Sequence, residues 1–141
     1  MSIGSILTGK KPLISVTRAT TVGEIAAMLH ENRIGAVLVV EHDSIIGMVS
    51  ERDIVAALHV KGVAVLEASA ESVMTSPVIT APPHTHVVAA LGVMTDRRVR
   101  HLPVVEGSRI MGLVSIGDLV KRRIDDVEAE ASALKDYIQT S

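Results

Sequence analysis

The chain has 141 residues, of which 48% are apolar but only 1% aromatic, and 14 Lys and Arg against 16 Asp and Glu leave a net charge of −2. That size allows one domain or two very small ones, and the apolar fraction argues against disorder. The charge offers nothing to attract a nucleic acid globally, Tyr137 alone makes no stacking platform, and the absence of cysteine removes disulfides, thiolate catalysis and Cys-based zinc sites.

No apolar run is longer than that of Ala36 to Val40, far short of the roughly 20 residues that span a bilayer. The first residues show no signal-peptide pattern. The expectation is a soluble, intracellular protein, in the cytoplasm or an organellar matrix, without a membrane partner.

The chain is duplicated. At an offset of 65, Pro12–Val55 aligns with Pro77–Val120 without a gap, and 14 of the 44 pairs are identical. Ordinary composition gives roughly three or four such matches. In chain order, each copy begins with a β-prone stretch, Leu13–Val16 or Val78–Thr80. An amphipathic helix follows, with apolar residues at Val22, Ile25, Ala26 and Leu29, or at Val87, Ala90, Leu91 and Met94. Thr21 with Glu24 reads as a capping box at the first helix start, and Thr85 as the cap at the second. Two β-branched runs around a polar turn then read as a hairpin: Ala36–Val40 with Ile45–Val49, and Leu102–Val105 with Ile110–Val114. A second helix opens at Ser50 or Ser115. Such a β-α-β-β-α unit is too small to bury its faces alone.

The expected organisation is a first repeat over 1–62, a connector over 63–76 with a short helix at Leu66–Met74, a second repeat over 77–124, and a helical extension over 125–141. In the extension, Val120, Ile124, Val127, Ala131, Leu134 and Ile138 are spaced alternately by four and three residues, a seam for another helix. It either packs back on its own domain or forms a dimer contact.

The repeated Gly-x-Val-Ser-x-x-Asp block, Gly47–Asp53 and Gly112–Asp118, holds the candidate chemistry. A helix N-terminus favours phosphate. Ser50 or Ser115 donates to it, and Asp53 or Asp118 accepts both hydrogen bonds of a cis-diol, a fit to a ribose 5′-phosphate. The same pattern is also an ordinary helix cap with an acidic third residue. Arg100 and His101 before the second hairpin add charge there. The first copy has Gly35 and Ala36 at those positions, with Arg52 as a possible substitute, while Arg33 and Arg98 read as surface. His84 and His86 form a His-x-His without a spaced third ligand, and Lys121–Arg123 with Arg97 and Arg98 read as a solvated basic face. Weak nucleic-acid binding through the Arg97–Arg100 patch therefore stays only as a third reading, behind a ligand-binding module and a dimeric adaptor without ligand.

These repeats resemble the cystathionine-β-synthase (CBS) domain. The residues that carry the resemblance are Ile34–Val40, Gly47–Asp53, Arg100-His101-Leu102-Pro103-Val104-Val105, Gly112–Asp118, and Met74-Thr75 before the second copy. The whole chain resembles a stand-alone tandem pair, a Bateman module. The resemblance implies an α/β (α+β) fold of two β-α-β-β-α repeats with pseudo-two-fold symmetry, clefts between the copies and an extended C-terminal helix. It also implies an adenosine ligand: AMP, ADP, ATP or NAD(H), with S-adenosylmethionine ranked behind them. By the same resemblance, Asp53 and Asp118 hold ribose and Ser50 and Ser115 reach phosphate. Ser15–Thr17 and Thr80–Pro82 line the adenine, and Gly35-Ala36 and Arg100-His101 contact base or phosphate. Pro103 belongs to the second of these sets. A homodimer and a regulated partner protein are further implications. No nucleophile elbow, P-loop or metal cage is present, so a non-enzyme without catalytic cofactor is expected. The second-repeat site is expected to bind an adenylate more tightly than the first.

Overall fold

The structure is a computed structural model and describes residues 1–140. Its elements in order are α1 (Ile3–Ile6), β1 (Ser15–Val16), α2 (Val22–Asn32), β2 (Ala36–Glu41), β3 (Ser44–Ser50), α3 (Glu51–Lys61), a 3-10 turn at Val63–Glu67, α4 (Ala70–Val73), α5 (Val87–Arg97), β4 (His101–Glu106), β5 (Arg109–Ser115) and α6 (Ile116–Thr140). They group into two compact units. One comprises Pro12–Ile79 with Gly107–Ile110; the other comprises Met1–Lys11, Thr80–Glu106 and the chain from Met111 onward.

In the first-repeat unit, β1 runs parallel to β2 with Ser15 opposite Leu38, and β2 is antiparallel to β3 with Ala36 opposite Ser50. Val16, Val22, Ile25, Leu29, Val37, Val39, Val49 and Ile54 form its core. The second-repeat unit buries the residue 65 positions later in every case: Ala81, Val87, Ala90, Met94, Leu102, Val104, Val114 and Leu119. Burial is thus duplicated at the same offset as the sequence, even where the paired residues differ, as at Leu29 and Met94. Arg33 and Arg98, an identical pair, both end a helix in the left-handed region, at φ 53° and 56°. Each places its N–H on the last carbonyls of the helix it closes.

The short helices do not pack on the repeat that follows them. In α1, the Ile3 N–H donates to the Thr85 carbonyl (2.9 Å) and the Gly4 N–H to Pro83 (2.9 Å), while the Val87 N–H donates to Met1 (3.0 Å). In α4, the Ala70 N–H donates to Thr20 (2.7 Å) and the Glu71 N–H to Arg18 (3.1 Å), while the Val22 N–H donates to Ala68 (2.9 Å). The two sets of bonds correspond one to one. The segment Met1–Lys11, at the head of the expected first repeat, completes the unit of the second, and residues ahead of the second repeat complete the unit of the first.

Three local expectations are corrected. Val78–Thr80 is not a strand: only Ala81 makes an isolated parallel bridge, to Val104, and Pro82 and Pro83 have no N–H to extend it. The α5 cap is His86, whose Nδ1 accepts the Val88 N–H at 3.1 Å, while the Thr85 carbonyl is committed to α1. The single helix expected at Leu66–Met74 is a 3-10 turn and α4, separated at Ala68, which is extended at φ −75° and ψ 158°. By contrast, the Thr21–Glu24 capping box forms as expected.

Candidate functional site

Both Ser-x-x-Asp blocks sit where a hairpin strand hands over to a helix. Ser50 is the N-cap of α3. Its Oγ accepts the Asp53 N–H (3.3 Å), and Asp53 Oδ2 accepts the Ser50 N–H (2.8 Å). At the second corner, Ser115 Oγ accepts the Asp118 N–H (3.1 Å) and Asp118 Oδ2 accepts the Ser115 N–H (2.8 Å). Both blocks are therefore capping boxes, closed by reciprocal bonds between serine and aspartate.

What else meets each carboxylate differs. Asp53 Oδ2 also takes the Ser50 hydroxyl (3.0 Å), and Oδ1 takes the Thr75 hydroxyl (3.0 Å), so both oxygens are engaged. At Asp118, Lys10 Nζ donates to Oδ2 at 2.5 Å and to the Leu113 carbonyl at 3.1 Å. Lys10 and Thr75 stand 65 residues apart, at matching places in the duplication. One repeat thus has a neutral hydroxyl where the other has an ammonium group.

That ammonium group shapes the titration of Asp118. Burial opposes ionisation of this carboxyl. The Lys10 hydrogen bond, the Ser115 amide and the Lys10 charge together outweigh burial, so its pKa lies below the ordinary aspartate value. The second corner therefore combines a carboxylate, a lysine and a helix N-terminus.

The other expected site residues fall into two groups. In the second-repeat unit, the Arg100 carbonyl accepts the Ile116 N–H (2.8 Å), which brings the exposed Arg100 to the corner beside Ser115 and Asp118. His101 opens β4 beside it. The Pro103 carbonyl accepts the Ala81 N–H (3.0 Å), so the Thr80–Pro82 segment lies along β4, with Thr80 and Pro82 exposed and Pro103 buried. In the first-repeat unit, the Gly35 carbonyl accepts the Glu51 N–H (3.0 Å) and Ala36 faces Ser50, which places these residues at the Asp53 corner. Arg52 is exposed on the first turn of α3. Ser15 and Thr17 are farther along the sheet, lining an open groove of about 650 Å³ with Thr20, Glu24 and His42. Gly35 lines a separate groove of about 700 Å³ with His30, Arg33 and Glu51.

The sequence reading missed Lys10 as a partner of Asp118, and quoted Thr75 without giving it a role. Lys10 is 108 residues from its partner, and the only signal for it was the offset that pairs it with Thr75. Arg18 was missed too. It bridges Glu41 at the end of β2 and Glu71 in α4.

Comparison with known proteins decides the family. The CBS domain profile matches residues 3–60 and again 70–125. The chain belongs to the CBS-domain family. Among curated CBS relatives, the mitochondrial CBS domain-containing protein CBSX3 of Arabidopsis thaliana is 33% identical over 128 residues, covering 87% of this chain and 62% of that protein. The chain thus spans less than two thirds of that relative's length. A putative signal-transduction protein with CBS domains from Burkholderia ambifaria superposes with a TM-score of 0.83 at 35% identity, covering 89% of this chain and 96% of the other. The CBS domain pair of protein MJ0100, solved in complex with 5′-methylthioadenosine and S-adenosyl-L-methionine, gives 0.80 at 25% identity, covering 89% and 98%. Two tandem CBS repeats in a mixed α/β fold, with a long C-terminal helix, are the architecture of this chain. No helix among the described residues is long and apolar enough to cross a membrane.

Proposed function

We propose that this CBS pair is a regulatory, non-catalytic module that binds an adenosine ligand at the Asp118 corner and thereby alters the activity of a partner protein. In this reading Asp118 Oδ1 accepts from the ribose hydroxyls. Ser115, the N-terminus of α6 and Lys10 face the phosphate, and Arg100 and His101 flank it. One observation carries the reading: the second corner's carboxylate is paired with a lysine, where its counterpart in the first repeat meets a neutral hydroxyl. The MJ0100 complex supports an adenosine compound as the ligand class. The cationic surroundings rank AMP, ADP, ATP and NAD(H) ahead of S-adenosylmethionine. Cytoplasm or an organellar matrix is the corresponding site of action.

Occupancy regulates a partner only if the ligand binds two arrangements of the module unequally. A different reading, a dimeric adaptor without ligand, draws support from the first repeat, where Thr75 and Ser50 use both oxygens of Asp53.

Calorimetric titration with AMP, ADP, ATP, NADH, S-adenosylmethionine and 5′-methylthioadenosine separates the two. Asp118→Ala should lose about two tenfold steps of affinity, as expected for removing a charged hydrogen-bond acceptor. Asp53→Ala should lose less. A bound nucleotide at a hundredfold excess over Kd should also raise stability by about 2.7 kcal/mol. A larger loss with Asp53→Ala reverses the assignment, and silence across the whole panel leaves the adaptor.

A further inference from the structure

The C-terminal helix carries an apolar face that its own chain leaves open. Val120, Ile124, Val127 and Leu134 are 42–60% exposed on α6, whereas Leu119 is fully buried. Arg122 meets Met1 Sδ and Asp126. Leu119, Arg122 and Asp126 mark the side of α6 turned toward its own unit. The seam lies about 130° away around the helix at 3.6 residues per turn. The alternation of four and three places Ile124, Ala131 and Ile138 at heptad positions a, and Val120, Val127 and Leu134 at d.

We propose that this seam is occupied by α6 of a second copy of the chain, as a parallel, in-register two-stranded coiled coil over residues 120–138. Charge pattern selects this occupant. The residues flanking the seam are Lys121, Glu128 and Lys135 at e, and Arg123 and Glu130 at g. In a parallel pair, each g residue faces the e residue five positions later on the other helix. Arg123 then meets Glu128 of the second copy and Glu130 meets Lys135, and two-fold symmetry doubles both attractions. The antiparallel register that engages all six seam residues sets Lys121 against Lys135, Glu128 against Glu128 and Glu130 against Glu130. An antiparallel register shifted by one heptad restores opposite charges but leaves Leu134 and Ile138 outside the contact.

Sedimentation velocity on the full chain at micromolar concentration tests the proposal. The chain should be a dimer, and Leu134→Glu should convert it to a monomer. Arg123→Glu should weaken dimerisation about tenfold by turning two attractions into repulsions. Adding Glu128→Arg should restore it, which also guards against a folding defect in the single variant. The chain has no cysteine, so Leu134→Cys with oxidised glutathione should give a covalent dimer, as identical d positions meet in a parallel pair. A monomeric chain, or a dimer indifferent to Leu134→Glu, overturns the proposal. So does failure of the charge exchange to restore assembly, or absence of the Leu134→Cys cross-link.

Discussion

At the residue scale, the second-repeat aspartate serves two demands at once. A helix start leaves N–H groups without intrahelical partners, and the Ser115–Asp118 box satisfies them. The same carboxylate carries the Lys10 ion pair, and this makes it sensitive to pH. Its folded-state pKa is held down, so the stability it contributes is complete above the unfolded value of about 3.9 and is lost as pH falls through the lower folded value. Lys10→Met should return that pKa toward the ordinary one. The acid limb of a melting-temperature profile between pH 2 and 6 should therefore move to higher pH. Near neutrality the loss should be only about 0.5–1 kcal/mol, since the pair is partly solvated. Acid limbs that superpose for the two proteins would show that Lys10 does not govern this carboxylate.

At the element scale, three glycines test how the short segments seat on the hairpins. A Cβ at Gly112 would lie 2.8 Å from Leu7 Cδ2, and one at Gly47 would overlap the Met74 side chain. Gly92, exposed in α5, has nothing within 4 Å of such an atom. Gly92→Ala should therefore stabilise by about 0.5–1 kcal/mol through helix propensity. Gly47→Ala, which meets Met74 along its whole side chain, should destabilise by about 1–3 kcal/mol through overpacking, and Gly112→Ala, which meets only the end of Leu7, by less. Urea unfolding checks both signs, and a stabilising Gly112→Ala would mean that Leu7 is not seated as described. The hairpins, α2, α3 and α5 were legible because burial repeats at a fixed offset, as in Val22 and Val87 or Val49 and Val114. The segment before Ala81 was not, since Val78–Thr80 has strand-like composition but two prolines close behind it. His86 escaped notice as a cap because an imidazole acceptor is less usual there than the hydroxyl of neighbouring Thr85.

At the scale of the whole molecule, order along the chain misleads about which parts fold together. Helices of four residues, α1 and α4, carry no periodicity from which a packing partner could be read. The corner pairs Ser50–Asp53 and Ser115–Asp118 were readable as local spacing, whereas the exchanged partners Thr75 and Lys10 were not. Ile3 makes the point energetic. It stands at the head of the expected first repeat yet is fully buried in the unit of the second, with its N–H on Thr85. Ile3→Ala should cost about 2–5 kcal/mol, the range for truncating a core side chain. Leu13→Ala, at a half-open position heading the first repeat, should stay within about 1 kcal/mol of the parent. Hydrogen exchange supplies the local readout. The Val87 amide, bonded to the Met1 carbonyl, should lose more protection in Ile3→Ala than the Val22 amide, bonded to Ala68. A mild Ile3→Ala in urea, or a greater loss of protection at Val22, would place the N-terminal segment on the repeat that follows it in sequence and undo the exchange.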